Sequence, residues 1–374
     1  MKHYFLGMAA EYSDWVWLKH LMTFGRKRDC KRLSTTLSER YGGEAVLCKN
    51  GRSALALALK AYFRPGDAIA VNAFTCYAVY EAIKAARLKP VFVDISLGDL
   101  NFDVNVLAKT LSDYPQIRGI IVQNTLGNPV DIAKIERVAE KHNLIIIEDL
   151  AHCAGVRYPD GREAGTVGAA SILSFGKDKS IDTISGGAVI FRSEIPSTSK
   201  IRDSFPSKAP RLSDHLRAKF YPMFGVLCRK LTYIKLGGAL MRFLVAIHWV
   251  EKSADNRLDT SRRLSKFEAK RALKQIERLK RTGMPTLREF CFVKNRAEVL
   301  AKLQKQGYYF GSFWYEKPVS PVRYYNKVNF PEEKCPNSVY AAEHILNIPT
   351  YYTKKDLSGA HKIIKNYLEE DKRG

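Results

Sequence analysis

Ile145-Ile146-Ile147-Glu148-Asp149 decides how this chain is read. An uninterrupted β-branched run closed by carboxylates predicts a strand buried on both faces, as in the middle of a parallel sheet. A second short apolar stretch, 170–175, leads into Ser174-Phe175-Gly176-Lys177-Asp178-Lys179, and Ser185-Gly186-Gly187 follows. The first strand therefore ends in Asp149, and the second delivers a lysine near its own end.

Working outward, the same alternation continues. Strands are predicted over 44–48, 68–71, 90–93, 119–122 and 144–147. Helices are predicted over 28–42, 54–62, 76–86, 105–111 and 132–142. Strands alternating with helices of about 10–15 residues imply parallel β/α/β units. Ligands of such sheets sit beyond the carboxyl ends of the strands. Asn50, Asn72, Asp94, Asn124 and Asp149, which follow or close the strands, are thus expected to converge.

The pattern changes after Pro196. Residues 205–250 interleave Lys/Arg with Phe, Tyr, Trp and Leu, and Leu240, Phe243, Leu244 and Ile247 fall at helical spacing. A charged helix is predicted from Ser261 to about Arg281. The last third reads as a smaller α+β unit, with segments 290–305, 308–314 and 356–368. The expected division is a large α/β domain over 1–198, a basic aromatic-rich helical segment over 199–260, and a small α+β domain over 261–374.

The chain has 374 residues, 46% of them hydrophobic, which suits one large and one small domain. Its net charge is +23, and residues 199–281 hold about 20 Lys/Arg against 7 Asp/Glu. Such a field favours anionic partners: nucleotides, phospholipid surfaces or nucleic acid. Seven scattered Cys, with no Cys-x-x-Cys and no His/Cys pairing at ligand spacing, argue against zinc and for reduced thiols in the cytoplasm. No signal peptide is expected, because Glu11 and Asp14 interrupt the apolar N-terminus. No membrane span is expected either, since the nearest candidate, 237–250, is short and contains Arg242.

A buried Asp and a Lys at neighbouring strand ends form the pair that pyridoxal phosphate (PLP) requires. The lysine binds the aldehyde, and the carboxylate keeps the pyridine nitrogen protonated so that the ring accepts electrons. Glycine ahead of a helix N-terminus, as in Asn50-Gly51-Arg52-Ser53, provides backbone N–H groups and a dipole that favour a phosphate.

With these residues in place, the chain resembles the DegT-type sugar aminotransferases, PLP enzymes of fold type I. Six stretches carry the resemblance in order: Asn50-Gly51-Arg52-Ser53-Ala54-Leu55, Ala73-Phe74-Thr75-Cys76, Pro90-Val91-Phe92-Val93-Asp94-Ile95, Gly127-Asn128-Pro129, Glu148-Asp149-Leu150-Ala151-His152, and Ser174 to Lys179 with Gly186-Gly187. The resemblance implies a mostly parallel mixed sheet flanked by helices. It makes Lys179 the cofactor-binding lysine and general base, with Lys177 as its rival. Asp149 becomes the pyridinium partner and His152 the partner of the ring's 3-hydroxyl oxygen. Gly51, Arg52, Ser53 and Ser174 become phosphate ligands.

The chain also departs from the pattern. Cys76 stands where the family places a ring-stacking aromatic, which leaves Phe74, Tyr77 or the Cys76 sulfur for that task. Ser185 replaces the usual Glu before Gly-Gly. The downstream Asn-x-Arg substrate segment survives only as the loose echo Asp255-Asn256-Arg257.

The resemblance implies amino transfer, usually from glutamate, to a keto sugar carried by a nucleotide, within glycan or glycosylated-metabolite biosynthesis. A homodimer is expected. Arg257, or residues near Lys317 and Arg323, are the candidates for the diphosphate. Two other readings stand beside this one. Sugar dehydration is disfavoured because such relatives carry His in place of the lysine. The other is a membrane-surface protein on a vestigial scaffold, touching the inner face through 205–250. No nucleic-acid reader motif appears.

Overall fold

The computed structural model describes residues 4–5, 16–196, 200–232, 234–250, 257–282, 287–309, 315–350 and 355–369. Its centre is a seven-stranded sheet. The strands are β1 (Glu44–Cys48), β2 (Ala68–Asn72), β3 (Lys89–Val93), β4 (Ile117–Gln123), β5 (Ile145–Asp149), β6 (Ala170–Ser174) and β7 (Gly187–Phe191). Their spatial order is β1-β7-β6-β5-β4-β2-β3. All run parallel except β7, which is antiparallel to both β1 and β6.

The apolar runs explain this placement. β5 lies between β4 and β6, with Ile147 opposite Ile121 and Ala170, and its inner residues are shielded on both faces. Antiparallel β7 uses the tight Ser185-Gly186 turn after the lysine loop. A Cβ on Gly187 would lie 2.6 Å from the Asn50 carbonyl carbon, so only glycine allows the β7 start to approach the strand β1 exit.

Helices α1 (Lys27–Tyr41), α2 (Gly51–Tyr62), α3 (Tyr77–Ala85), α4 (Val104–Asp113) and α5 (Ile132–Lys141) cover the sheet. In α2 the Ala/Leu composition lets ten residues, Gly51 to Leu59 and Ala61, be buried between sheet and α3. Asp103 and Asp131 cap α4 and α5 by accepting from first-turn N–H groups.

The basic segment folds as two helices, α6 (Leu212–Thr232) and α7 (Gly237–Ala246). The expected charged helix is α8 (Lys266–Thr282). It packs against α1, on the large domain. Leu264, Ala269, Ala272, Leu273, Ile276 and Leu279 share one core with Leu33, Leu37 and Tyr41 of α1. The physical reason is the apolar stripe of α8, which matches the i, i+4, i+8 stripe of α1.

The small unit begins after α8. It pairs β8 (Arg288–Phe292) antiparallel with β9 (Ile345–Pro349) and packs them with α9 (Arg296–Lys305), α10 (Pro336–His344) and α11 (Ser358–Lys365). A short parallel bridge, Val319–Ser320 against Thr75–Cys76, ties it to the large domain beside the strand ends.

Glu148 sits inside this frame with no exposed surface. Its carboxylate accepts from Tyr158 O–H at 2.7 Å and from the backbone N–H groups of Gly165, Val167 and Gly168 at 2.7, 2.9 and 2.6 Å. It thereby anchors the connection between β5 and β6, the connection that carries His152.

Candidate active site

A cavity opens beyond the carboxyl ends of β5 and β6. Its lining includes Asn50, Gly51, Arg52, Cys76, Asp149, His152, Ser174, Lys177 and Lys179. Asp149 closes β5, and its Oδ1 accepts from Ala151 N–H at 2.9 Å. Burial raises its carboxyl above the usual range, while that N–H and any positive charge on Lys179 work in the other direction.

Lys179 follows β6 on a braced loop. Asp182 accepts from the N–H groups of Asp178 (3.2 Å) and Ile184 (2.8 Å), and its carbonyl takes hydrogen bonds from Arg271 (3.1 Å) and Gln275 (2.5 Å) of α8. Asp178 holds a φ of 60° within that loop. Lys179 Nζ lies 2.8 Å from His152 Nε2.

The hydrogen bonding assigns the protons in that contact. Leu126 N–H donates to His152 Nδ1 at 3.2 Å. A neutral imidazole accepting at Nδ1 carries its hydrogen on Nε2. Nε2–H then donates to Nζ, which requires an unprotonated amine. Both groups are pushed that way, chiefly by burial: His152 well below its ordinary value, and Lys179 below the ordinary lysine range.

This yields a pH prediction. A donor to the free amine favours that form, so His152→Leu should shift the pH midpoint of covalent PLP loading upward. At pH 7 the loading rate should fall about 5-fold, the equivalent of one hydrogen bond of about 1 kcal/mol. Stopped-flow absorbance across pH checks this, and an unmoved midpoint would contradict the proton assignment.

The helix end beside these residues fits a phosphate. Asn50 caps α2, its Oδ1 accepting from Ser53 N–H at 2.8 Å. Gly51 and Arg52 occupy the first turn, where N–H groups have no intrahelical acceptor. A Cβ on Gly51 would lie 2.6 Å from Ser174 Cβ, so the helix end and the β6 hydroxyl meet only because this residue is glycine. A phosphate cradle, a buried carboxylate and a neutral lysine in one cavity fit PLP.

Several expected residues stand elsewhere. Ser53 is buried off the cavity, its hydroxyl accepting from Asp259 N–H at 3.0 Å, because the third helical position turns away from the cleft. Arg52 lines the cavity, with Nη1 2.5 Å from Glu81 Oε2 of α3. Phe74 is buried and stacks on Tyr315 at 4.2 Å, and Tyr77 stacks on Tyr324 at 4.6 Å. Neither lines the cavity. The aromatic that does so beside Cys76 is Tyr315. The bridge at 319–320 brings it there, helped by Thr75 N–H donating to Pro318 at 2.9 Å. Nothing in the local sequence around Tyr315 announces that pairing.

Arg257, Lys317 and Arg323 do not line the cavity either. Arg257 offers its carbonyl to Asn50 Nδ2 at 3.1 Å, and the other two lie over tyrosine rings. Asp255 and Asn256 lie outside the described residues. The cationic lining comes instead from Lys49, Lys177 and Arg217. Lys177, the rival lysine, sits with Nζ 4.5 Å from the Tyr221 ring centroid, against α6. Asp214, Arg217, Ala218, Tyr221 and Trp249 place the basic segment over the cavity as a roof, tied down by Lys49–Asp214 at 3.3 Å. Ser185, in the place of the usual glutamate, donates to Glu268 of α8. Among the described residues, no group of three or more His, Cys, Asp or Glu is placed to hold a metal ion.

The sheet order with its single antiparallel strand defines a fold type I protein, and the solved structures agree. An aminotransferase from Psychrobacter cryohalolentis superimposes with a TM-score of 0.69 at 18% identity, covering 95% of this chain and 97% of that one. A DegT DnrJ EryC1 StrS aminotransferase from Brucella abortus gives 0.65 at 20% identity, covering 95% of each. The model of the DegT/DnrJ/EryC1/StrS aminotransferase family matches residues 23–359, and the chain belongs to that family. Curated relatives include the GDP-perosamine synthase of Caulobacter vibrioides, 34% identical over 39% of this chain and 38% of the relative. The dTDP-4-amino-4,6-dideoxy-D-glucose transaminase of Shigella dysenteriae is 34% identical over 44% of each. The chain thus spans well under half the length of these curated relatives.

Proposed function

We propose that this protein is a PLP-dependent aminotransferase that moves an amino group, from glutamate, onto a nucleotide-linked keto sugar for glycan or glycosylated-metabolite synthesis. The observation that carries the reading is the 2.8 Å contact of Lys179 Nζ with His152 Nε2, beside the buried Asp149. When bound, PLP supplies the electron sink that lets nitrogen pass between two carbon skeletons.

The side chains supply the rest. Asp149 holds the proton on the ring nitrogen, an arrangement that also gives its buried charge a partner. With PLP bound, His152 Nε2–H would donate to the ring's phenolic oxygen. Gly51, Arg52 and Ser174 hold the phosphate. Lys179, freed as a neutral amine, takes the proton from the donor's Cα and returns one to the sugar carbon that gains nitrogen. Lys49, Lys177 and Arg217 give the mouth of the cavity the positive charge that an anionic, diphosphate-bearing acceptor needs. A homodimer in the cytoplasm belongs to the same reading.

The family match and the sugar-nucleotide transaminases among its relatives support this reading. A fold neighbour described as a GDP-4-keto-6-deoxymannose-3-dehydratase marks the competing chemistry. Lys179 favours transamination over it. The test uses PLP-loaded protein, 15N-glutamate, and GDP-, UDP- or dTDP-linked keto sugars. Label in the sugar and one equivalent of 2-oxoglutarate are expected. Consumption of the sugar without label would establish dehydration instead.

A further inference from the structure

Helices α6 and α7 have an inner and an outer face. Through Asp214, Arg217, Ala218 and Tyr221, the inner face roofs the cavity. Leu240, Met241, Leu244 and Val245 of α7 pack onto Ala218, Tyr221, Val226 and Cys228 of α6. The outer face of α7 ought then to be polar, and it is not. Ala239, Phe243, Ala246 and Ile247 recur at i, i+4, i+7 and i+8 on the exposed side. Phe243 is 58% exposed, Ile247 44%, and Leu236 and Ile234 at the hairpin tip 55% and 62%. An exposed apolar stripe of this kind, beside a packed inner face, is one that something covers.

The surrounding charge says what covers it. Residues 205–250 contain eight Lys/Arg and a single acidic residue, Asp214, which is paired with Lys49. Lys230, Lys235 and Arg242 are exposed around the apolar stripe. In a two-fold contact, a second copy would set this same cationic patch against itself, with like charges juxtaposed. An anionic bilayer brings the opposite charge, and cations flanking an apolar stripe are the arrangement of an interfacial helix. Nucleic acid would match the charge but not the stripe. Among the described residues, no helix is long and apolar enough to cross a membrane.

We propose that the tip of the α6–α7 hairpin seats the protein on an anionic lipid surface. Phe243, Ile247, Leu236 and Ile234 enter the acyl boundary, and Lys230, Lys235 and Arg242 meet the headgroups. This rests on the exposed surface alone and is independent of the transamination reading.

The test is flotation of full-length, PLP-loaded protein with vesicles of phosphatidylcholine alone or with 30% phosphatidylglycerol. Binding to the anionic vesicles only is expected, with release in 1 M salt as surface charges are screened. The double variant Phe243→Ser/Ile247→Ser should bind at least about 10-fold more weakly. Its cofactor absorbance and melting temperature should be unchanged, since both side chains are exposed. Analytical ultracentrifugation of the same proteins decides the rival occupant. A variant that falls from dimer to monomer, with no wild-type flotation, assigns the stripe to a second copy and overturns the proposal. Flotation that the double substitution leaves intact overturns it too, because charge alone would then suffice. So does binding to a 30-nucleotide RNA in preference to the vesicles.

Discussion

Lys179→Ala is expected to leave a folded protein that no longer holds PLP covalently and transfers nitrogen at least about 10⁴-fold more slowly, since nucleophile and base are lost together. The folded state tolerates the change for an electrostatic reason. Lys179 is a buried amine whose pKa burial lowers, so its ammonium form already disfavours the native state. Asp149 keeps its backbone partner, the Ala151 N–H at 2.9 Å. The measurement is the absorption spectrum of purified protein with added PLP, read between roughly 400 and 430 nm, where covalently held cofactor absorbs. Lys177→Ala serves as the control. Its amine rests against Tyr221, and that variant should keep the band. If the band survives in Lys179→Ala and vanishes in Lys177→Ala, the assignment of the two lysines is reversed.

Glu148→Ala carries the largest expected loss of stability. One buried carboxylate satisfies three backbone N–H groups and the Tyr158 hydroxyl. Alanine strands all four donors, at about 1–3 kcal/mol for each that finds no substitute. A total of at least about 4 kcal/mol is expected, a large part of the 5–15 kcal/mol typical of a folded domain. Glu148→Gln keeps an acceptor oxygen and should lose roughly half as much. Urea unfolding followed by circular dichroism gives both values. A loss under about 1 kcal/mol in Glu148→Ala would mean that water or a rearranged 150–169 connection takes over these donors. Cofactor loading should fall along with stability, because the same connection holds His152 against Leu126.

Much of the fold was legible because its signals are local. The β/α alternation reads from periodicity, and β5 and β6 follow from short apolar runs between polar stretches. Asp149, His152, Lys179, Ser174 and Gly51 sit where strand ends and a helix start converge, and that convergence follows from parallel topology alone. Ser53 and Arg52 show the limit of the same reasoning. Sequence places both in the first turn of α2, but helix phase turns Ser53 toward Asp259, and Glu81 on a different helix engages Arg52.

The sequence by itself determined the chemistry on offer: a carboxylate and a lysine at buried strand ends, a glycine-led helix start, and an unusual cationic, aromatic stretch. Those properties are fixed by residue type and by spacing within one or two elements. Tertiary structure alone decided which residues complete the cavity. Tyr315 reaches Cys76 through a two-residue bridge between chain segments some 240 residues apart. α8 joins α1 and not the domain that follows it, and the α6–α7 pair, whose composition reads equally as surface, becomes a roof on one face while keeping an apolar stripe on the other. Each of these depends on packing between distant segments, where the free energy comes from matched surfaces that no local pattern records.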